Sequence, residues 1–252
     1  MPWTNYYRMS GLLGSRYFLI AGLAFLLYYI LLRNRLSYRK IQLRYPRQKD
    51  YLREIGFSIL TIFIFAAFPY FILSSPAIVS HTYYYTRISQ HGWLYFFLAF
   101  PVMLLIHDSY FYWCHRLMHH KRLFPVFHLL HHRSTNPSPW AAYAFHPLEA
   151  VVEAGIFPVF LFTMPVHPLQ LGIFFLFMIM YNVYGHLGFE LYPSGFAGSW
   201  LGRWINTSVS HNQHHHHFTG NYGLYFTVWD RVMGTMRSDY QEQFEEVKSR
   251  KP

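Results

Sequence analysis

The sequence predicts an all-α, polytopic membrane bundle of about four to five membrane segments with a histidine-rich cap on the cytosolic side. Composition gives the first indication: 13% of the 252 residues are charged and 53% are hydrophobic, whereas soluble domains carry about 25% charged residues. The hydrophobic residues fall in long uncharged runs. The seventeen histidines are concentrated outside those runs or at their ends, in one part of the chain.

Five apolar runs are the candidate membrane segments: residues 17–32, 55–80, 92–106, 150–165 and 168–184. The first run is slightly short for a hydrocarbon core of about 30 Å unless flanking residues join it, and the second is long enough. Only residues 165–168 separate the last two runs, which predicts a membrane hairpin. No repeat or linker interrupts the chain, so we expect a single membrane domain over residues 1–252.

The positive charge is also concentrated in one place. The net charge is +10, and residues 33–53 hold seven of those charges between the first two apolar runs. Such a block indicates a cytoplasmic loop, and the other basic segments fall on the same side if the N-terminus is outside. No small-residue cleavage site follows the first run, so a signal peptide is not expected. The charge therefore predicts topology, and no nucleic-acid partner is expected.

Fifteen of the histidines lie between His107 and His217, and the first group follows the third apolar run. His115 and His119 have i, i+4 spacing, which places both imidazoles on one face of a helix. Asp108 lies seven residues before His115 on that face, where we expect it to accept a ring N–H and orient a ligand histidine. The spacing predicts two metal ligands on one helix.

Two further groups have the spacing i, i+3, i+4: His128, His131 and His132 in HLLHH, and His211, His214 and His215 in HNQHHHH. On a helix each set of three shares one face. His216 and His217 would point away from that face, and the surrounding sequence is unlike an expression tag. The single Cys114 excludes an iron–sulfur cluster ligated by cysteines of this chain alone.

Two isolated histidines, His146 and His186, lie at predicted membrane boundaries. Together with the eight grouped histidines they give ten imidazoles, enough for two metals with about five ligands each. Imidazole binds iron, zinc, copper and nickel, so the ligand type does not choose the metal.

The motifs HRLMH, HLLHH and HNQHH resemble, in order and spacing, the three histidine boxes of the fatty acid hydroxylase/sterol desaturase superfamily of membrane di-iron oxidases. The flanking runs NPSPWAAYAFHPLEA and NYGLYFTVWDRVMGT look most like its C-5 sterol desaturase (lathosterol oxidase) branch. The resemblance covers residues 104–240 as a catalytic region, after N-terminal helices and the basic loop at 1–103 and before a polar tail at 241–252. It implies that the metal ligands are His115, His119, His128, His131, His132, His146, His186, His211, His214 and His215.

The resemblance implies a chemistry as well as a fold. Two iron ions would reduce O₂, and a lipid, sterol-like or fatty acyl, would be hydroxylated or desaturated beside the bilayer. Electrons would come from NAD(P)H through a separate cytochrome b5 or ferredoxin, because the chain contains no HPGG haem segment and no flavin motif. The metal site would face the cytoplasm in a bacterial inner membrane or the endoplasmic reticulum.

The sequence departs from the family pattern at two places. Ser210 stands where many relatives have another histidine. Some hydroxylase relatives carry an i, i+4 histidine pair near the last membrane exit, whereas the residues flanking His186 at that spacing are Asn182 and Glu190. His146 is therefore a candidate for the missing ligand.

Another class of function remains open. The alternative is a histidine-rich membrane metal transporter or metal-binding protein, which needs polar ligands along a path through the spans. A zinc protease is disfavoured because HExxH is absent. The sequence leaves open the lipid, and whether the product is an alcohol or an alkene.

Overall fold

The computed structural model describes residues 2–251, which are helical with no β-strand; three isolated bridges join extended segments. Short 3₁₀ turns lie at Ser37–Arg39, Ile88–Gln90, Pro139–Tyr143 and Gly202–Trp204, and a π-helical turn, Leu26–Leu31, continues α1. The helices are α1 (Trp3–Phe25), α2 (Arg33–Leu36), α3 (Gln48–Ser74), α4 (Pro76–Val79), α5 (Gly92–Met118), α6 (Phe124–Phe127), α7 (Leu129–His132), α8 (Pro147–Ala154), α9 (Ile156–Thr163), α10 (Pro168–Gly185), α11 (Ser208–His217), α12 (Val228–Val232) and α13 (Tyr240–Ser249).

Four helices within residues 2–251 are long and apolar enough to cross a membrane: α1 with its π-helical turn, α3, α5 and α10. The all-helical membrane bundle predicted from the sequence is therefore confirmed. The first apolar run does recruit flanking residues, because its helix begins at Trp3 and continues for 29 residues to Leu31.

The fourth apolar run is not one long helix. It forms α8 and α9, each of eight residues, with Gly155 between them. A Cβ on Gly155 would overlap the Tyr110 hydroxyl, which donates to the Val152 carbonyl at 2.6 Å. In the last turn of α9 the Leu161 carbonyl accepts from Tyr83 N–H, and after the helix the Val166 carbonyl accepts from Tyr85 N–H. The two short helices therefore return the chain to the end of the bundle where α3 and α5 are connected.

Helix α10 is the central element of the bundle. On one side it packs with α1 and α3 through Tyr17, Ile62 and Ile179. On the other it packs with α5 and α9 through Phe160 and Phe174, among other buried residues. Packing on both sides fixes the end of α10 relative to the end of α5, and these two ends carry histidines.

The turn at Pro139–Tyr143 is fastened to the membrane helices by polar contacts. The hydroxyls of Tyr17 on α1 and Ser58 on α3 both donate to the Trp140 carbonyl, at 2.8 and 3.1 Å. The Ser138 hydroxyl donates to the Glu54 carboxylate. Each of these polar groups would be costly to bury without a partner. The contacts therefore fix the position of the chain that leads to Phe145.

The basic connection between the first two spans contains a fully buried lysine. The Lys40 amine donates to Asn136 Oδ1 at 3.0 Å and lies 5.3 Å from the centre of the Tyr45 ring. No carboxylate within residues 2–251 pairs with it. Burial lowers the pKa of Lys40 to about 7.

Replacement of Lys40 by Met should flatten the dependence of stability on pH. The folded-state pKa lies below the ordinary value of 10.5, so between pH 7 and pH 10 the unfolded chain binds a proton that the folded chain has lost. In that window the Lys40 contribution makes the wild-type protein more stable as pH rises. Thermal unfolding of purified wild-type and Lys40→Met protein should show a stability difference that changes in favour of wild type from pH 7 to pH 10. The exposed Lys49→Met control should follow wild type, and a pH-independent difference for Lys40→Met would contradict the assignment.

Candidate metal centre

Nine buried or partly buried histidines meet at one end of the bundle, and they come from four elements. The end of α5, the segment around α7, the end of α10 and helix α11 each supply at least one. They form two groups. The first cluster is His115, His119, His128, His132 and His214, and the second cluster is His131, His186, His211 and His215.

Neighbouring residues in the sequence belong to different clusters. His131 and His132 separate in this way, as do His214 and His215, because successive side chains on a helix point about 100° apart. The two clusters are adjacent, since the rings of His132 and His215 stack 4.9 Å apart. Helices α7 and α11 therefore each serve both clusters.

Within each cluster the Nε2 atoms converge. In the first, Nε2 of His115 lies 3.0 Å from that of His128, and His119 lies 3.1 Å from His132. In the second, the Nε2 atom of His186 lies 3.1 to 3.3 Å from those of His131, His211 and His215. Two nitrogens bound to one metal at about 2.1 Å would be about 3.0 Å apart at a right angle and about 3.4 Å apart at the tetrahedral angle. The observed spacing fits a shared ion in each cluster.

The hydrogen bonds of the Nδ1 atoms explain why the Nε2 atoms are unprotonated. Nδ1 of His115 lies 2.9 Å from the Tyr222 carbonyl, that of His186 lies 2.8 Å from the Asn182 carbonyl, and that of His214 lies 2.7 Å from the Gly220 carbonyl. A carbonyl only accepts, so Nδ1 holds the proton and the neutral ring presents an unprotonated Nε2.

The electrostatics of the clusters favour a cation at each centre. Burial, followed by the neighbouring imidazoles, lowers the pKa of His128, His131, His132, His211, His214 and His215 well below the ordinary value. Burial also lowers the pKa of His186 to about 4. The rings are thus neutral, and their converging lone pairs repel one another unless a positive ion lies between them. Nε2 of His214 is buried with no hydrogen-bond partner, as expected for an atom reserved for a metal.

Glu149 is a functional residue that the sequence interpretation missed. Its carboxylate lies 2.6 Å from Nδ1 of His128, and both side chains are buried. Burial raises the pKa of Glu149 and lowers that of His128. The His128 ring is neutral and its Nε2 faces His115 within the cluster, so the ring proton lies on Nδ1 and is donated to Glu149. A carboxylate in this position orients a ligand imidazole and raises its basicity. The only available sign was an acid three residues after His146 at the start of an apolar run.

The role expected for Asp108 is wrong. Its Oδ1 accepts from the backbone N–H groups of Tyr225 and Phe226, at 2.8 and 3.1 Å, and contacts no histidine. The α5 face that carries Asp108 packs against the chain segment after α11. Asp108 therefore holds the backbone of the segment whose Tyr222 carbonyl accepts from His115.

His146 does not join either cluster. It precedes α8, where its Nδ1 accepts from Leu148 N–H at 3.3 Å and caps the helix. The geometry of α8 instead places Glu149, three residues later, next to His128. The expectation that His146 supplies a missing ligand is not met by this arrangement, which gives five and four histidines rather than five and five.

The remaining histidines lie away from the cluster centres. Nδ1 of His107 lies 3.0 Å from the Tyr225 hydroxyl, while His120, His216 and His217 are exposed. Glu190 also takes no part in a cluster, since its carboxylate accepts from the Tyr184 hydroxyl and from Val209 N–H. Ser210 lies in the first turn of α11, where its N–H donates to the capping Thr207 hydroxyl.

A mainly apolar cavity of about 360 Å³ lies between the spans, and residues that contact the clusters form part of its wall. Three of its wall residues touch ligand candidates directly. The Phe111 ring lies 4.9 Å from His115, and the Phe145 ring lies 5.1 Å from His131. Asn182 provides the carbonyl that accepts from His186. A lipid in this cavity would contact Phe111, Phe145 and Asn182, which in turn contact histidines of both clusters.

Comparison with known proteins agrees with this geometry. A family model described as fatty acid hydroxylase matches residues 100–235. Delta(7)-sterol 5(6)-desaturase from Gibberella zeae is 29% identical over 96% of this chain and 73% of its own length. The same enzyme from Leptosphaeria maculans is 31% identical over 90% of this chain and 60% of its own.

Lathosterol oxidase from Rattus norvegicus is 32% identical over 58% of this chain, which spans 48% of that protein. No solved structure matches the chain. These relatives agree with the sterol desaturase branch indicated by the flanking motifs. The family match covers more than half of the chain and contains both histidine clusters, and the chain therefore belongs to the fatty acid hydroxylase family.

Proposed function

We propose that the protein is a membrane di-iron oxidoreductase that uses O₂ and external electrons to hydroxylate or desaturate a lipid, either sterol-like or fatty acyl. The observation that carries this proposal is the position of an apolar cavity between membrane helices, whose wall residues contact two clusters of convergent, neutral imidazoles. The names of the relatives, sterol desaturases and a lathosterol oxidase, support a lipid substrate.

The residues have distinct roles in this proposal. The first cluster would hold one iron and the second cluster the other. When bound, the iron pair supplies the O₂-dependent oxidising power that an unactivated C–H bond requires. Glu149 and the Tyr222, Asn182 and Gly220 carbonyls keep the protons on Nδ1, so that Nε2 stays free for metal. Phe111 and Phe145 shield the histidines from water and position hydrocarbon against them.

Electron supply and orientation form part of the same proposal. Electrons come from NAD(P)H through a separate cytochrome b5 or ferredoxin. The concentration of positive charge in the connection between α1 and α3 supports a cytoplasmic position for that loop. The chain then lies in the endoplasmic reticulum or a bacterial inner membrane with its histidine end facing the cytoplasm.

Lipid profiling of cells with and without the gene tests the reaction. We expect one lipid to gain an oxygen atom or to lose two hydrogen atoms, and only when O₂ is present. The purified protein should contain iron. Metal flux in vesicles without any change in lipid would instead support the transporter alternative.

Replacement of His131 by Ala should remove one of the two irons and abolish lipid oxidation. His131 is one of only four histidines in the second cluster, so its loss leaves three imidazoles to hold that ion. Iron per chain, measured by elemental analysis, should fall by about half. The control is His216→Ala on the exposed face of α11, and it should keep both iron and activity. Full retention of iron and activity in His131→Ala would refute the ligand assignment.

Replacement of Glu149 should weaken metal binding in a graded way. Glu149→Gln keeps an oxygen that can accept from His128, whereas Glu149→Leu leaves that N–H unpaired. Loss of such a hydrogen-bond partner typically lowers metal affinity about 10- to 100-fold. Competition with a chelator should rank affinity as wild type, then Gln, then Leu. The exposed Glu242→Gln variant on α13 should bind metal as tightly as wild type. Wild-type metal affinity in Glu149→Leu would contradict the role assigned to the Glu149–His128 contact.

A further inference from the structure

The cavity contains an arginine with no ionic partner. Arg16 lies in the middle of α1, on the same face as Met9, Leu12 and Leu13, and all four line the cavity. Its guanidinium forms no ion pair and no hydrogen bond with any residue in the range 2–251. The nearby Tyr143 phenol carries no charge that would neutralise it. Arg16 directly precedes the uncharged run 17–32, and a charged side chain that faces a cavity inside a membrane bundle commonly marks a ligand site.

Helix α10 shows how far Arg16 lies from the histidines. Nη2 of Arg16 is 3.9 Å from the position that a Cβ on Gly172 would occupy. Gly172 lies fourteen residues before His186, which is about 21 Å along a helix. One face of α10 lines the cavity over much of that distance, through Phe175, Met178 and Asn182. The cavity therefore extends from a cation near the start of α10 to Asn182, about one turn before His186, along a mainly apolar wall.

The part of the cavity wall nearest the histidines carries an acidic side chain instead of a basic one. Glu153 lines it one turn after Glu149, close to Cys114 on α5. It forms no ion pair with a cation in the described chain, and burial raises its pKa to about 8. Ionised, this group would repel an anion; protonated, it offers one hydrogen bond and no compensating charge. Arg16 offers five donors and a permanent positive charge.

We propose that Arg16 is the residue that selects and orients the lipid, by binding a carboxylate and leaving the hydrocarbon chain to extend toward the histidine clusters. Guanidinium and carboxylate form two parallel charge-assisted hydrogen bonds, which an alcohol cannot reproduce. The ligand class is thus a long-chain lipid with a free carboxylate. This inference deepens the proposed function and rests on it for the identity of the oxidised substrate.

Photolabelling tests this site without requiring oxidation. The probe is a palmitic acid that carries a mid-chain diazirine and a terminal alkyne, applied to the purified full-length protein in nanodiscs without O₂. We expect crosslinks to α10 between Gly172 and Asn182, and competition by oleate at least about tenfold stronger than by oleyl alcohol or lathosterol. Equal or better competition by the alcohol or the sterol would overturn the proposal.

Substitutions separate the role of Arg16 from a general effect on folding. Arg16→Gln should lower labelling about tenfold or more, and Arg16→Lys should restore part of it because the charge returns. The exposed Arg8→Gln variant, two turns earlier on α1, is the matched control and should label like wild type, as should Glu153→Gln. Bound iron reports folding in every variant. Unchanged labelling of Arg16→Gln would refute the site, whereas labelling that depends on Arg16 in a protein that oxidises no lipid would refute only the proposed function.

Discussion

The convergence of nine neutral imidazoles is the constraint on which the arrangement of this protein depends. Six Nε2 contacts of 3.0 to 3.3 Å bring lone pairs together that repel one another in the absence of a cation. A metal in each cluster would convert this repulsion into bonds between α5, α7, α10 and α11. Metal binding and the packing of the helix ends would then be thermodynamically linked.

The acidic side chains near the clusters form hydrogen bonds with backbone N–H groups as well as with a histidine. Asp230 accepts from the N–H groups of Tyr222 and Gly223, at 2.8 and 2.7 Å, and Asp108 accepts from those of Tyr225 and Phe226. The irregular segment after α11 is fixed by these contacts, and its Tyr222 carbonyl can then orient His115. Glu149 is the one acid that contacts a cluster histidine directly within the described chain. Backbone carbonyls thus orient His115, His186 and His214, and they add no charge to the centre.

Helix α10 couples the membrane part of the molecule to its histidine end. One stretch of this helix forms a wall of the cavity, and Asn182 near its end contributes both a cavity surface and the carbonyl that orients His186. Phe111 and Phe145 make the same connection from α5 and from the turn after α7. A hydrocarbon chain that follows α10 is therefore guided toward the second cluster.

The sequence by itself determined the fold class, the spans at α1, α3, α5 and α10, and eight grouped histidines, because apolar length and helical spacing are local properties. The sequence also identified His186 as a candidate metal ligand. Only the tertiary structure decided how the histidines divide, since the separation of His131 from His132 depends on which neighbouring helix each ring faces. The absence of Asp108 and His146 from their expected positions, and the presence of Glu149 beside His128, have the same cause. Spacing shows which residues share a helix face, but the packing of α8 against the segment around α7 determines which of them reaches a cluster histidine. The close approach of the Tyr110 hydroxyl to Gly155 also depends on tertiary packing, because Tyr110 lies on another helix.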